Sequence, residues 1–408
     1  MRFRGEIFTL AKLISPITQQ EFFDCYNEQL PIFIHGGTAS RFASLFSASD
    51  VVDIIQKQTF PSSRIRITRS GRDIPPMFYS TRQASPRMDL SRIRGILNKG
   101  ASLVVCGLEE THRSIGDLAQ ALELEFSSNV WANAYLTTKQ GGAFNVHYDN
   151  HDVIVLQISG SKRWHLFGRT EEYPVHICDS ARDIAPKAEE KIDTLCAGEV
   201  LFVPRGVWHR AEVVDSPSFH ITIGIKGDTG AEFVRSAAKD ITRQALFRKY
   251  LPRVGGEHLL LEHEKKLKDF LHDWVEELSV KSFLDDRDAD RPTRSEIVPW
   301  DSILIDSETK IWLALRRRSP VSDLDKAEIR VGGKSHKLRP MDRLILQVVG
   351  ERGIVRFNEL IICARATGEI IDEIELATTL TDLAENGLLN ISTETEASES
   401  QREGRTID

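Results

Sequence analysis

Gly141 to Trp164, GGAFNVHYDNHDVIVLQISGSKRW, carries two patterns at once. His147-Tyr148-Asp149 comes first; an apolar run from Val153 to Ile158 follows, and then Gly160-Ser161-Lys162. On a strand, residues two apart share a face, so His147 and Asp149 project together while Tyr148 points away. An imidazole and a carboxylate on one wall make two thirds of a 2-His-1-carboxylate metal site. The second imidazole is assigned to His209, at the end of GEVLFVPRGVWH (198–209). Histidine two residues before an acid is weak on its own, and a lone His147 reads equally as a satisfied histidine beside a sheet. The neighbourhood separates the two readings.

Val153–Ile158 reads as a buried strand ending in a glycine turn. Lys162 then opens the next strand, running to Phe167. Gly198-Glu199 makes a turn, Val200 to Val203 a strand, and Pro204-Arg205-Gly206 turns the chain to present His209. Strand, glycine turn, strand, proline turn, histidine predicts a double-stranded β-helix, or jelly roll, with a metal in its mouth. The fold class expected for the whole chain is α+β.

At these residues the chain resembles the JmjC/cupin family of Fe(II)- and 2-oxoglutarate-dependent oxygenases, most closely the ribosomal-oxygenase branch, which hydroxylates ribosomal protein side chains. The resemblance implies a metal triad at His147, Asp149 and His209, which are also the catalytic residues. It implies that Lys162, on the strand after the glycine turn, binds the distal carboxylate of 2-oxoglutarate. Asn133-Ala134-Tyr135-Leu136-Thr137 is similar to the family's Asn-x-Tyr-x-Thr strand, which makes Asn133 and Tyr135 cosubstrate contacts. His220-Ile221-Thr222-Ile223-Gly224 resembles the strand of the far wall, with Thr222 a further contact. Several close relatives in that family have Ser or Asn where Gly224 stands, so that contact is absent or supplied by water.

The chemistry explains the residue types. Fe(II) held on one face by two imidazoles and a carboxylate keeps three adjacent positions open; 2-oxoglutarate takes two of them and leaves one for O2. Lysine suits the far carboxylate as a compact point charge, against the plainer reading of a solvated strand-end lysine. His151 is the rival ligand. It is read instead as a pocket residue behind the pair already chosen.

The chain has 408 residues and a net charge of −7, which allows two or three domains and excludes a general polycation. Five cysteines, odd in number and without CxxC spacing, argue against a disulfide framework or structural zinc and favour a reducing compartment, read as the cytoplasm. The N-terminus is not read as a signal peptide, and no apolar run is long enough to span a membrane. Residues 1–226 are expected to form the catalytic domain, with its core over 102–226. Within it, Thr18 and Glu21 fit a capping box, Leu30–Ile34 is a short strand, and Ser47–Asp50 caps a helix through Ile55. Residues 61–99 are rich in arginine, with Asp73 and Asp89 the acids facing them. A hairpin through Arg64–Ile67 and Ser70-Gly71 is either a solvated surface or a positive rim that captures substrate. Pro174 to Lys191 reads as an inserted loop that covers the site or lies on the surface.

Beyond Gly227 the pattern becomes helical. Ala231–Leu251 and Glu257–Leu278 are amphipathic, and Asp285–Pro292 reads as a charged linker, so 227–292 forms a helical module with its linker. Such modules dimerise the oxygenases this chain resembles, which implies a homodimer. Residues 293–392 resemble a winged helix: helices at 341–349, 357–364 and 372–385, with strands at 355–357 and 388–391. The third helix and the residues leading into it carry Glu369, Asp372, Glu373, Glu375, Asp382 and Glu385 and no basic residue, so no direct DNA binding is expected. Residues 393–408 have too little apolar content to fold.

Two function classes follow. The first is a 2-oxoglutarate-dependent dioxygenase acting on a protein substrate, in particular a ribosomal protein. The same chemistry on a biosynthetic peptide or small molecule is a variant, and N-methyl-lysine demethylation a lesser one. The second class is a non-oxidative metal-binding cupin, in which Lys162 grips no keto acid.

Overall fold

The computed structural model describes residues 8–57, 62–69, 71–81, 87–139, 144–178, 183–294, 305–317, 327–366 and 372–391. Ser70, residues 141–143, Glu369 and the tail from Thr393 figure in the readings above and lie outside the described residues. The chain divides into two compact units, residues 1–227 and 228–408.

The first unit opens with helices α1 (Leu10–Ile14) and α2 (Gln19–Asn27). Glu21 N donates to Thr18 Oγ1 at 3.2 Å and Thr18 N donates to Glu21 Oε2 at 2.7 Å, the reciprocal cap that starts α2. There follow β1 (Ile32–Ile34), α3 (Ala48–Lys57), the hairpin β2 (Ile65–Arg69) and β3 (Arg72–Asp73), α4 (Leu90–Leu97), β4 (Ser102–Cys106) and α5 (Arg113–Phe126). The remaining strands are β5 (Asn129–Thr137), β6 (Asp152–Leu166), β7 (Lys191–Cys196), β8 (Val200–Val203) and β9 (His209–Lys226). They form one sheet in the order β1-β8-β6-β9-β5-β4-β2-β3, with β7 also on β6 and every pairing antiparallel.

The sequence predicts two strands separated by a turn at Gly160, and the structure corrects this. β6 runs unbroken for 15 residues and pairs with β9 on both sides of the glycine, through register shifts between Gln157 and Lys162. Gly160 has φ +64°, and a Cβ there would lie 2.5 Å from the Pro217 carbonyl oxygen. A bulge bends a strand without ending it, and it calls for the same left-handed glycine that a turn does.

Alternation gives the two long strands two different faces. Ile154 and Leu156 of β6 join Ile221, Ile223 and Ile225 of β9 in the main core, under Leu118 and Leu122 of α5. Val153, Val155, Trp164 and Leu166 form a separate cluster with Leu201 and Val203 of β8. Each fully buried aliphatic side chain contributes about 1.5–3 kcal/mol, so both faces of β6 are anchored by packing.

The second unit begins with α6 (Gly230–Ile241), α7 (Ala245–Arg248), α8 (Glu257–Glu277) and α9 (Val280–Asp290). The single helix expected over Ala231–Leu251 is broken where the Thr242 hydroxyl turns back onto the Lys239 carbonyl at 2.6 Å. The charged linker expected at 285–292 is largely helical, because its charges find partners. Asp228 accepts from Arg287 Nε and from Arg291 Nη2, both at 3.0 Å, and Arg317 Nε lies 3.4 Å from Asp288. The unit continues with β10 (Lys310–Leu313), the hairpin β11 (Glu328–Val331) and β12 (Lys334–Lys337), α10 (Pro340–Arg352), β13 (Val355–Arg356), α11 (Phe357–Ala366), α12 (Glu373–Glu385) and β14 (Leu389–Ile391). β13, β10 and β14 form a small sheet in that order, and Ile311 and Leu389 pack with Leu346, Leu360 and Leu380 of the three helices. Among the described residues no helix is long and apolar enough to cross a membrane.

Candidate metal centre

His147 and Asp149 do not sit on a regular strand, which corrects the periodicity argument. Their segment is irregular, and His147 makes one isolated antiparallel bridge to His209. Its N donates to the His209 carbonyl at 3.1 Å and the reverse bond is 2.7 Å. Gly206 N donates to the Asp149 carbonyl at 2.9 Å. The proline turn is thus stitched to the loop at both ligand positions by backbone alone.

These contacts bring one ligand atom each from His147, Asp149 and His209 within 4.8 Å of one another, the one such group of three among the described residues. His209 Nε2 lies 3.7 Å from Asp149 Oδ2, and the two imidazole centroids are 4.5 Å apart. His147 Nδ1 is 2.8 Å from the Asn145 carbonyl oxygen and His209 Nδ1 is 2.9 Å from that of Val207. A carbonyl only accepts, so each Nδ1 carries a proton and Nε2 is the ring nitrogen on offer to an ion. Burial, reinforced by His147, pushes His209 down to about 4, so it is neutral near pH 7. Burial pulls the Asp149 carboxyl upward, but the neighbouring imidazoles outweigh it and hold the group below its ordinary value. A neutral imidazole at His209 and a carboxylate at Asp149 are protonation states a divalent ion requires. The donor set fits Fe(II), and also other ions that accept nitrogen and oxygen.

Tyr148, between the two ligands, is buried with Phe167 and Trp208. Its hydroxyl lies 2.6 Å from His176 Nε2 and donates to Asp183 Oδ2 at 2.9 Å. The inserted loop after β6 is therefore tied to the metal loop. Neither His176 nor Asp183 was singled out by the sequence.

A polar wall rises beside the triad. Register pairs Asn133 with Thr222, Tyr135 with His220 and Trp131 with Gly224. The Tyr135 hydroxyl hydrogen-bonds with Thr222 and Asn133; burial, with the Asp149 charge adding to it, pushes the phenol up to about 12, so it stays neutral. The Lys162 side chain is buried, and its Nζ lies 3.0 Å from His220 Nδ1. Among the described residues it has no carboxylate in ion-pair range, and burial brings it down to about 7. Trp164, two residues on, lies between the rings of His209 and His220 at 6.0 and 5.9 Å, and its indole N–H is buried without an acceptor. A buried lysine without an anion, with an unsatisfied N–H beside it on one strand, fits an acceptor-rich ligand such as a carboxylate.

His151 makes its ring contact with Trp131, 4.6 Å between centroids, outside the triad. Trp131 lies over Gly224, where an added Cβ would meet its Cε2 at 2.4 Å. The space a side chain would take at this position is therefore filled by an indole reaching across from β5. Gly224→Ala is expected to displace Trp131 at a cost of about 1–3 kcal/mol, typical of overpacking, read as a lowered thermal midpoint. An unchanged midpoint would mean the indole moves aside freely.

Residues 110–233 match the JmjC domain family. The chain is 26% identical over 287 residues to the bifunctional lysine-specific demethylase and histidyl-hydroxylase NO66 of Dictyostelium discoideum, covering 64% of this chain and 52% of that protein. It is 26% identical over 295 residues to ribosomal oxygenase 2 of Mus musculus, covering 67% and 60%. The chain spans about half the length of the curated relatives it matches. The solved structure of Escherichia coli ribosomal oxygenase YcfD aligns with a TM-score of 0.56 over 92% of this chain and 98% of that one, at 13% identity, a likeness of fold. Another structure of YcfD is its complex with cobalt and 2-oxoglutarate.

Proposed function

We propose that this JmjC-domain chain, related in sequence to the ribosomal oxygenases, is an Fe(II)- and 2-oxoglutarate-dependent oxygenase that hydroxylates a side chain of a protein, specifically a ribosomal protein. One observation carries the reading: a His-Asp-His triad with both Nε2 atoms free to bind, beside a buried lysine that has no anion of its own. His147, Asp149 and His209 would hold the ion. Fe(II), with 2-oxoglutarate and O2, supplies the oxidising chemistry that places a hydroxyl on carbon while the keto acid becomes succinate and carbon dioxide.

The chain's own residues do the rest. Backbone bonds at His147, Asp149 and His209 set the ligands before any ion arrives, which limits reorganisation on binding. Lys162 receives the far carboxylate of the diacid, and Tyr135, Asn133 and Thr222 supply neutral hydrogen-bonding groups along its length. The apolar cluster around Val153, Val155 and Leu201 limits access of water from below.

The hairpin of β2 and β3 supports a substrate-binding role for the arginine-rich segment. A Cβ on Gly71 at its tip would lie 2.8 Å from Asn145 Nδ2, two residues from His147, so the hairpin borders the mouth. Its charge is more balanced than the sequence suggests, since Arg64 pairs with Glu110 and Arg66 with Asp73. Met77 and Phe78 are 70% and 59% exposed, an apolar counterpart to the guanidiniums.

The second unit is assigned two roles. None of the α6, α7 or α8 residues is buried, and Leu260, Leu261 and Val275 are well exposed, which supports a homodimer covering these faces. The domain built on α10 to α12 is assigned as a winged helix that does not bind DNA. Among the described residues its α12 bears Glu373, Glu375, Asp382 and Glu385, and its arginine contacts come from Arg339 and Arg365, outside the helix. The cytoplasm is the proposed compartment.

The test of the chemistry is succinate release from 2-oxoglutarate under Fe(II) and O2. Its absence from metal-loaded protein would favour the non-oxidative cupin. The substrate is sought as a protein residue 16 Da heavier that disappears on deletion of the gene.

A further inference from the structure

His220 takes no part in the proposed ligand contacts, yet among the described residues it is the hydrogen-bond partner of Lys162, the lysine on which the oxygenase assignment depends. Its ring is almost fully buried and lies parallel to Tyr135, 4.8 Å between centroids and 6° between planes. Its Nδ1 faces Lys162 Nζ at 3.0 Å. The Tyr135 hydroxyl in turn meets Thr222 and Asn133. Lysine, imidazole, phenol and the polar pair thus form one continuous chain across three strands.

A carboxylate in the position of His220 would fix the lysine equally well. It would also neutralise the ammonium and repel an incoming diacid. A neutral imidazole accepts one N–H, holds the amine in direction and leaves its charge for the ligand. We propose that His220 is the positioning residue of the diacid site, and that binding of the diacid is accompanied by uptake of one proton at the Lys162–His220 pair.

The proton goes to Lys162 Nζ, from solvent, turning an amine into an ammonium as the carboxylate arrives. The groups around it permit this. Lys162 pairs in register with Leu195 of β7 and Val213 of β9, which carry no charge. Trp164 follows on its own strand, His220 faces it from β9, and Tyr135 lies beyond that ring on β5. Burial, reinforced by the Lys162 charge, holds His220 well below its ordinary value, so the imidazole stays neutral. Burial likewise leaves the lysine at about 7 in the absence of ligand. A bound carboxylate favours the charged form and raises that value.

The inference rests on the oxygenase reading, and one calorimetric series tests both. The full-length protein, loaded anaerobically with Fe(II), is titrated with 2-oxoglutarate at pH 6 and pH 8 in buffers of differing ionisation enthalpy. An amine titrating near 7 takes up about 0.9 proton per ligand at pH 8 and about 0.1 at pH 6. His220→Phe keeps the stacked ring without the acceptor, and His220→Asn restores an acceptor. Loss of a bond that orients a binding group typically costs about 10–100-fold. We therefore expect His220→Phe to weaken 2-oxoglutarate by that factor, in Kd and in KM, with kcat and Fe(II) affinity near those of the parent. His220→Asn should recover most of the loss. A parent that binds no 2-oxoglutarate would remove the oxygenase reading together with this one. Tight binding with no proton uptake at pH 8, or a His220→Phe variant that binds as well as the parent, would overturn this inference alone.

Discussion

Asp149→Ala is expected to abolish succinate formation and to cut Fe(II) affinity by more than the ~100-fold that losing an outer-shell hydrogen bond can cost. The carboxylate is the only anionic member of the triad, and it lies 3.7 Å from His209 Nε2. Without it, a divalent cation meets imidazoles and no anion in a site where the buried His209 already resists positive charge. The substitution leaves the architecture alone. The His147–His209 bridge and the bond from Gly206 to the Asp149 carbonyl use backbone atoms, which alanine retains. The thermal midpoint of the metal-free variant is therefore expected to stay close to that of the parent, while Fe(II) no longer raises it. Metal titration followed by melting reads both effects. A variant that bound Fe(II) like the parent would remove Asp149 from the ligand set.

The triad was legible because a divalent ion restricts its ligands to few residue types, and His147, Asp149 and His209 belong to them. Their alignment comes from a single backbone bridge where alternation along the sequence predicts a strand. Gly160 shows a related limit. A turn and a bulge both call for a left-handed glycine, and only the pairing of β6 with β9 on both sides separates them. The run at 285–292 looked like a linker because its partners are distant: Asp228 lies 59 positions before Arg287. Local composition records the charges but not who neutralises them. His220 was within reach, two residues before Thr222 and hence on the same face of β9. What the sequence could not supply is Lys162, 58 positions away, at its Nδ1.

Lys162→Met is expected to stabilise the ligand-free protein and to destroy its binding of 2-oxoglutarate, two large effects of opposite sign. Burial takes the amine from 10.5 to about 7, which at about 1.4 kcal/mol per pH unit is a penalty on the order of 5 kcal/mol for the charged form. Methionine fills similar space without that penalty. It strands the acceptor of His220, at a cost of about 1–3 kcal/mol, so the net gain is smaller but still favourable. The pH dependence follows from the sign of the shift. The folded value lies below the unfolded one, so the unfolded chain binds the extra proton and the parent gains stability as pH rises from 7 towards 10.5. The advantage of methionine is thus largest at pH 6 and narrows by pH 9. Function runs the other way, because removing one member of a buried charge pair costs about 2–5 kcal/mol, on the order of 100-fold or more in affinity for the diacid. Melts of metal-free protein at the two pH values, with a 2-oxoglutarate titration at saturating Fe(II), measure both sides. A variant less stable than the parent at pH 6 would mean that the pocket already compensates the ammonium, and the lysine would then have no need of a ligand anion.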